Sequence, residues 1–273
     1  MTDVELAPTH ADVHALPYVE LLALLGESNL PPGGLRTVRS LAQECFLRPG
    51  IRALHVGSSG GYLSRELARL SGCNVLGIDI SKSMVRLASA RAHAEGLADL
   101  VSYEHRDARG FTPDGPLFDV ALTGGSLAFV QGQEHAIMSM IDSVKTRGFV
   151  AISELTYRSD PGQALRDQIA EIIGVPIPHY EPDHWDRLFA RPELQVCYRH
   201  EAPVRVPAEA EVSAYCARMV EWSASEWPSG ARRALSARLE ECFFAFAANL
   251  EHMNSVLLVA SRLGDNDEPL LFT

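Results

Sequence analysis

The residues most able to do chemistry lie in Ala53 to Ser64, ALHVGSSGGYLS, where an apolar run breaks into Gly57-Ser58-Ser59-Gly60-Gly61 and then resumes with helix-forming residues. A glycine-rich turn directly after a strand leaves bare backbone that a ligand can approach closely. Its spacing says what the turn is not. A dinucleotide turn needs G-x-G-x-x-G, and counted from Gly57 the required glycines fall on Ser59 and Tyr62. A phosphate-cradling loop needs G-x-x-x-x-G-K-[ST], and no lysine stands there. The turn therefore admits a close ligand but is not shaped for phosphate.

A second group of residues points to a substrate. Glu154 lies at the carboxyl end of an apolar run, where open α/β sheets place their chemistry. It either orients or deprotonates a nucleophile, or makes a structural pair. His184 is a candidate general base near neutral pH, or else a solvated loop histidine. Tyr157, Tyr180 and Trp185 flank these two as candidate substrate contacts. Tyr215, Met219 and Trp222 fall at i, i+4 and i+7, so a single helical face carries all three. That face either packs on a neighbouring helix or forms an apolar wall for a small substrate. Tyr18 is placed to close over a ligand from the first helix, or to pack in the core. His55, buried by its pattern, reads more readily as a satisfied core histidine than as a base.

The elements that must position these residues follow from periodicity. Residues 12–25 and 34–46 read as helices separated by Pro31-Pro32-Gly33-Gly34. From Arg52 strands and helices alternate: strands at 53–57, 74–79, 100–104, 118–122 and 149–155, and helices at 61–71, 81–95 and 134–145, with Ser81 as an N-cap. Such alternation predicts a parallel, doubly wound sheet with right-handed crossovers. Beyond Leu155 it stops. A helix at 161–173, a proline-rich and aromatic segment, a strand at 194–206, helices at 208–223 and 230–250 and a last strand at 255–262 follow. The expected architecture is an α/β, Rossmann-like, doubly wound and mostly parallel seven-stranded sheet with helical lid insertions. Its parts are an N-terminal helical cap (1–47), a cofactor-binding core (48–155), a lid insertion (156–193), a core strand (194–206), a second helical lid (207–253) and a final core strand and tail (254–273).

Composition narrows the function. The chain has 273 residues, 47% of them hydrophobic, enough for a sizeable core, and a formal net charge of -11. A field of that sign repels phosphate backbones and anionic membranes, so neither nucleic acid nor membrane is expected as a partner. Cys45, Cys73, Cys197, Cys216 and Cys242 are odd in number and contain no CxxC pair. They read as reduced thiols of a cytoplasmic protein, without a disulfide framework or zinc site. No run reaches the roughly 18 apolar residues that suggest a membrane span, and the acidic N-terminus does not read as a secretory signal.

With these residues in view, the chain resembles the class I S-adenosylmethionine-dependent methyltransferases over about residues 34–157. Leu54-His55-Val56-Gly57-Ser58-Ser59-Gly60-Gly61 is similar to the family's first motif, with His55 in place of the usual acid and Ser59 in place of the middle glycine. NVLGIDISKSMVRLASARA looks like its second strand and following helix, HRDARGF like the segment after its third strand, FDVALTGGSLAFV like its fourth strand and RGFVAISELTY like its fifth. The resemblance implies S-adenosyl-L-methionine as cofactor, with S-adenosyl-L-homocysteine as product. It also implies a cofactor site made of Gly57, Ser58, Ser59, Gly61, Asp79, Ile80, Asp107, Ala108, Thr123 and Gly124. Asp79 would accept the ribose hydroxyls and Asp107 the adenine amino group, Ala108 would offer a backbone N–H, and Thr123-Gly124 would line the methionine end. Arg36 either pairs with the methionine carboxylate or stays solvated.

The expected function is methyl transfer to a nitrogen, oxygen or carbon of a small, apolar or aromatic metabolite, of the kind made in secondary metabolism, without a metal. The rival readings are a tRNA or protein methyltransferase, and a non-catalytic adenosylmethionine-binding protein. The sequence is compatible with a homodimer.

Overall fold

In the computed structural model, which describes residues 10–26 and 29–264, the apolar runs read from the sequence become seven strands of a single sheet. These are β1 (Arg52–Val56), β2 (Asn74–Asp79), β3 (Val101–His105), β4 (Phe118–Gly124), β5 (Val144–Tyr157), β6 (Leu194–Pro203) and β7 (Met253–Arg262). Their spatial order is β3-β2-β1-β4-β5-β7-β6. The first five run parallel, and β7 runs antiparallel to both β5 and β6. Val56 stands opposite Ile78 and Thr123, so β1, β2 and β4 end side by side and their loops share one edge of the sheet.

Helices cover both faces: α3 (Leu35–Glu44), α4 (Tyr62–Ser71), α5 (Lys82–Ala94) and α6 (Gln133–Asp142). Side chains alternate along a strand, and β1 shows the consequence. Leu54 and Val56 join Ile78, Ile137, Met140 and Ile152 on one face, whereas Ala53 joins Val38, Leu41, Leu63 and Leu67 on the other. Fully burying one such leucine or isoleucine stabilises by about 1.5–3 kcal/mol. α5 begins where the sequence places its cap: the Ser81 hydroxyl accepts from the Met84 N–H at 3.2 Å.

A separate helical layer lies over the carboxyl edge. It combines α1 (His10–Ala15) and α2 (Tyr18–Leu25) with the late helices α9 (Glu209–Ala224) and α10 (Ser229–Leu250). Val13, Leu21 and Leu25 share a buried cluster with Val212, Cys216, Leu235 and Leu239. The N-terminal helices and the second insertion thus form one body, although the sequence presents them as two segments.

Four differences from the sequence reading stand out among the element assignments. The helix expected over 12–25 is divided into α1 and α2 at Pro17, which has no N–H to donate and restrains the residue before it. β5 begins at Val144 rather than 149, because Val144 already pairs with Phe118 before a register shift and a left-handed Arg147 (φ 63°). β6 ends at Pro203, three residues early. Besides α7 (Gln163–Ile173), the proline-rich segment hides a short helix, α8 (His184–Phe189). With six residues, α8 shows too little periodicity to be read in advance.

Candidate active site

The turn after β1 is built from three consecutive demands on the backbone. Gly57 (φ +65°), Ser59 (φ 49°) and Gly61 (φ 76°) all adopt left-handed conformations. A Cβ at Gly57 would fall 2.1 Å from Ser126 Oγ, and one at Gly61 would fall 2.3 Å from the Tyr103 hydroxyl oxygen. Ser59 takes the same backbone region with a side chain, at a cost of about 1–2 kcal/mol. Its N–H donates to Asp79 Oδ2 at 2.7 Å, which holds it there. The Ser58 N–H donates to the Ile78 carbonyl at 2.9 Å, and its buried hydroxyl oxygen has no partner among the described residues.

Asp79 closes β2 with both carboxylate oxygens engaged, Oδ2 by Ser59 and Oδ1 by the Ser81 N–H at 2.8 Å. Burial pushes its pKa up, while these amides and His105 pull the other way. Each oxygen keeps a second lone pair for a ligand. Beside it Ile80 is 67% exposed, an apolar surface at a strand end suited to a flat ring. The His105 ring nitrogen Nε2 donates to the Ile80 carbonyl at 3.0 Å and fixes that peptide. Asp107 lies exposed on the loop after β3, where the Arg109 fork holds its carboxyl below the usual carboxylate range. Ala108 packs half-buried against the core. A half-buried carboxylate with spare acceptors, an apolar platform, a second carboxylate and a turn of bare backbone together fit an adenosine.

The end of β4 is fixed from three sides. Thr123 Oγ1 bonds Ser126 Oγ at 2.7 Å, and Ser126 Oγ donates to the Val56 carbonyl at 3.1 Å, tying β4 to β1. A Cβ at Gly124 would come within 3.2 Å of the Pro31 ring and 2.7 Å of the Leu63 side chain, and one at Gly125 within 2.9 Å of Pro32. The Pro32 carbonyl is held by Thr37 Oγ1 and, at 3.1 Å, by Ser153 Oγ. The Pro31-Pro32 segment therefore straps over the carboxyl edge beside the glycine turn. His55, below it, hydrogen-bonds Ser64 Oγ through Nδ1 at 2.7 Å; burial pulls its pKa down to about 3, so it is neutral. Arg36 is exposed on α3.

Glu154 is 1% exposed. Its Oε1 accepts the Leu127 N–H at 3.0 Å, and the amides of Gly125, Ser126 and Ala128 also face the carboxylate. Burial pushes its pKa up to about 8 against these donors. The carboxylate caps the 3₁₀ turn Leu127–Phe129 and so shapes the loop that follows β4. The next layer out is a polar chain. Gln133 Nε2 donates to the Leu127 carbonyl and to the Tyr180 hydroxyl, each at 2.9 Å, and the Tyr180 hydroxyl donates to the Ala128 carbonyl at 2.8 Å. The remaining Gln133 oxygen must accept from His184 Nε2–H, at 2.9 Å. Burial lowers the His184 pKa. Trp185 is fully buried and donates to the Leu155 carbonyl at 2.9 Å, while Tyr157, also buried, donates to Asn249 Oδ1 at 3.0 Å. In this conformation Tyr157 and Trp185 serve the core beneath the site, and neither presents a surface to a substrate.

The three residues expected on one helical face do meet in a cavity. Tyr215, Met219 and Trp222 of α9 line a space of about 640 Å³ together with Phe243 and Phe246 of α10 and Leu30. Tyr18 of α2 reaches its aromatic wall: edge-to-face contacts run from Tyr18 to Phe246 (5.4 Å), to Phe243 (6.0 Å) and to Tyr215 (5.1 Å). The Tyr180–His184 cluster and this cavity are separate groups of side chains. Sequence reasoning missed Ser126, Gln133 and the Pro31-Pro32 strap. Their importance comes from partners distant in the chain; the only local hint is the pair of prolines before Gly33-Gly34.

Among the described residues no helix is long and apolar enough to cross a membrane, and no group of three or more His, Cys, Asp or Glu is placed to hold a metal. Residues 53–148 match the family model described as a methyltransferase domain. An uncharacterised Escherichia coli protein, YjhP, is 31% identical over 136 residues, 50% of this chain and 53% of its own. The ubiquinone biosynthesis O-methyltransferase of Rhizobium johnstonii is 30% identical over 150 residues, 52% of this chain and 59% of its own. The match thus spans little more than half the length of these two relatives. A methyltransferase of Geobacter sulfurreducens, solved with S-adenosyl-L-homocysteine, superposes with a TM-score of 0.68 at 20% identity, covering 90% of this chain and 98% of that one.

Proposed function

We propose, from the match of residues 53–148 to a methyltransferase domain and the fold shared with a methyltransferase solved with S-adenosyl-L-homocysteine, that this chain is a class I S-adenosylmethionine-dependent methyltransferase that transfers a methyl group to a nitrogen, oxygen or carbon of a small apolar or aromatic molecule. The acceptor occupies the cavity between α9, α10 and the segment after α2. One observation carries this reading: Leu30 lines the cavity, while the next residue, Pro31, packs on Gly124 at the glycine-turn edge. Adjacent residues of one segment thus touch the cavity and the end of β4, which supports setting the acceptor beside the cofactor.

Bound S-adenosyl-L-methionine supplies an electrophilic methyl group on a sulfonium. The chain's own residues bind and align. Asp79 would accept the ribose hydroxyls, Ile80 would offer its exposed apolar side chain to the adenine, and Asp107 and the Ala108 N–H would meet the polar edge of the base. Gly57, Ser58, Ser59 and Gly61 give close approach, and the Thr123-Gly124 backbone lines the methionine end. Tyr215, Met219 and Trp222 hold the acceptor, and Tyr18 packs behind them on Phe246. An amine acceptor needs no dedicated base. Glu154 and His184 act as positioning residues: the first shapes the loop after β4 through its amides, and the second braces that loop through Gln133.

The test is calorimetric titration with S-adenosyl-L-homocysteine. The wild-type chain is expected to bind on the order of micromolar, and Asp79→Ala to weaken binding at least about tenfold, near 1.4 kcal/mol. Transfer of labelled methyl is then sought across small aromatic and amine compounds. A wild-type chain that does not bind the product overturns the proposal.

A further inference from the structure

One peptide of the turn after β1, Gly60-Gly61, has no side chain at either end to restrain it, and glycine has the widest choice of backbone conformation of any residue. In the fold both ends of that peptide are held. The Gly61 N–H donates to the Ser58 carbonyl at 2.9 Å, and the Gly60 carbonyl accepts from Arg65 Nη1 at 2.7 Å. Arg65, near the start of α4, is 4% exposed. Its Nε donates to both carboxylate oxygens of Glu95 at 3.0 Å, and Glu95 closes the C-terminal end of α5. Glu95 also accepts from the more exposed Arg69. The next carbonyl, that of Gly61, is held twice, by the Arg65 backbone N–H and by the Tyr103 hydroxyl, each at 3.1 Å. That of Gly60 has the Arg65 guanidinium alone among the described residues. A buried ion pair is a poor source of net stability. This one fixes a charged donor against a single carbonyl, where a charge-assisted bond is about twice as strong as a neutral one.

We infer that Arg65 is a positioning residue for the ligand of this turn: it pins the Gly60-Gly61 peptide and so keeps the turn in its one binding form. Asp79 fixes the turn before Gly60, through the Ser59 N–H, and Arg65 fixes it at Gly60 itself. Without the guanidinium the Gly-Gly peptide rotates between several turns. Affinity then falls in proportion to the fraction of folded chains that keep the binding form. That the ligand is S-adenosyl-L-methionine rests on the methyltransferase reading above; the hold of Arg65 on Gly60 does not.

The experiment joins amide hydrogen exchange of the full, unliganded chain to calorimetric titration with S-adenosyl-L-homocysteine, on the wild type, Arg65→Met and Arg69→Met. Exchange of the Gly61 amide is read against that of Leu54, buried in β1, so that a general loss of stability cancels. In Arg65→Met the Gly61 amide is expected to gain at least fivefold over Leu54, and S-adenosyl-L-homocysteine to bind at least fivefold more weakly. Arg69→Met, which removes the other arginine on Glu95, is expected to change neither by as much as twofold. Should Arg65→Met not fold, Arg65→Lys, which keeps the charge but lacks the fork that reaches Gly60 and Glu95 together, is expected to show both changes at threefold or more. The inference is overturned if the Gly61 amide gains less than these margins, if Arg69→Met loosens it as much, or if the amide loosens while the affinity holds. A Gly61 amide that loosens as expected in a chain whose wild type does not bind S-adenosyl-L-homocysteine would keep the hold on the turn and remove the methyltransferase reading.

Discussion

The backbone N–H of Ser59 donates to Asp79 Oδ2 across 2.7 Å, and this bond makes the glycine turn and the end of β2 a single unit. Asp79→Ala therefore removes more than a ribose acceptor. It leaves the Ser59 and Ser81 amides without their partner, a loss of about 1–3 kcal/mol for each group that stays buried. The variant is expected to lose both product affinity and thermal stability. Asp79→Asn, which keeps one acceptor oxygen, should lose affinity with a smaller fall in stability. Calorimetry and thermal melts of the two variants separate the effects.

Ser59 holds a backbone region that favours glycine. Ser59→Gly is expected to raise stability by up to about 1 kcal/mol, the left-handed strain less the extra freedom glycine gives the unfolded chain. Ser59→Val, β-branched at the same φ, is expected to lower it by at least as much. Urea denaturation of the three proteins gives the comparison.

Gly57→Ala sets a methyl group 2.1 Å from Ser126 Oγ while keeping a positive φ. A loss of at least about 2 kcal/mol is expected, from overpacking and strain together. Adding Ser126→Gly clears the contact but not the strain, so the double variant should recover only part of the loss. Full recovery would show that φ at position 57 is not limiting.

Glu154 sets a pH dependence. Its folded pKa, raised to about 8 by burial, lies above that of an unfolded carboxylate, so the folded chain keeps a proton the unfolded chain releases. This contribution to stability is complete below the ordinary carboxylate pKa near 4.5 and is lost as pH rises through about 8. Wild-type melting temperature is expected to fall between pH 5 and 8, and Glu154→Gln to flatten that slope. A slope unchanged in the variant would assign it to other groups.

His184 donates to Gln133, whose amide braces the loop after β4. If the two act as one brace, His184→Ala and Gln133→Ala should each lower melting temperature, and the double variant should lose less than the sum, with a coupling of about 0.5–3 kcal/mol. Methyl transfer by His184→Ala should fall less than tenfold, with the pH profile unmoved; loss of its acidic limb would instead make His184 a base.

What was legible in the sequence was local. The strand-to-helix turn at Gly57–Gly61, the carboxylate closing NVLGID and the i, i+4, i+7 face at Tyr215 each follow from neighbours in the chain, and each is where its period places it. Ser126 was not legible, because its hydroxyl matters only when Val56 lies beside it, 70 positions earlier in the chain. Gln133 likewise depends on Tyr180 and His184, which arrive on a later segment. Tyr157 looked like a ligand contact because it lies just beyond a strand end, and Trp185 because it lies in the aromatic lid segment. Only the tertiary packing around them decides, and it buries both.

β7, the last strand among the described residues, lies between β5 and β6 in the sheet. During synthesis β6 therefore leaves the ribosome with no strand to pair with, and β5 has an open edge until residues 253–262 follow. Until then both strands expose unpaired backbone donors and acceptors, the setting in which nascent chains associate wrongly. A chain halted before Met253 would lack more than its tail: it would be a sheet with an unfinished edge at β5, beside a strand, β6, with no partner, and a natural client for chaperones.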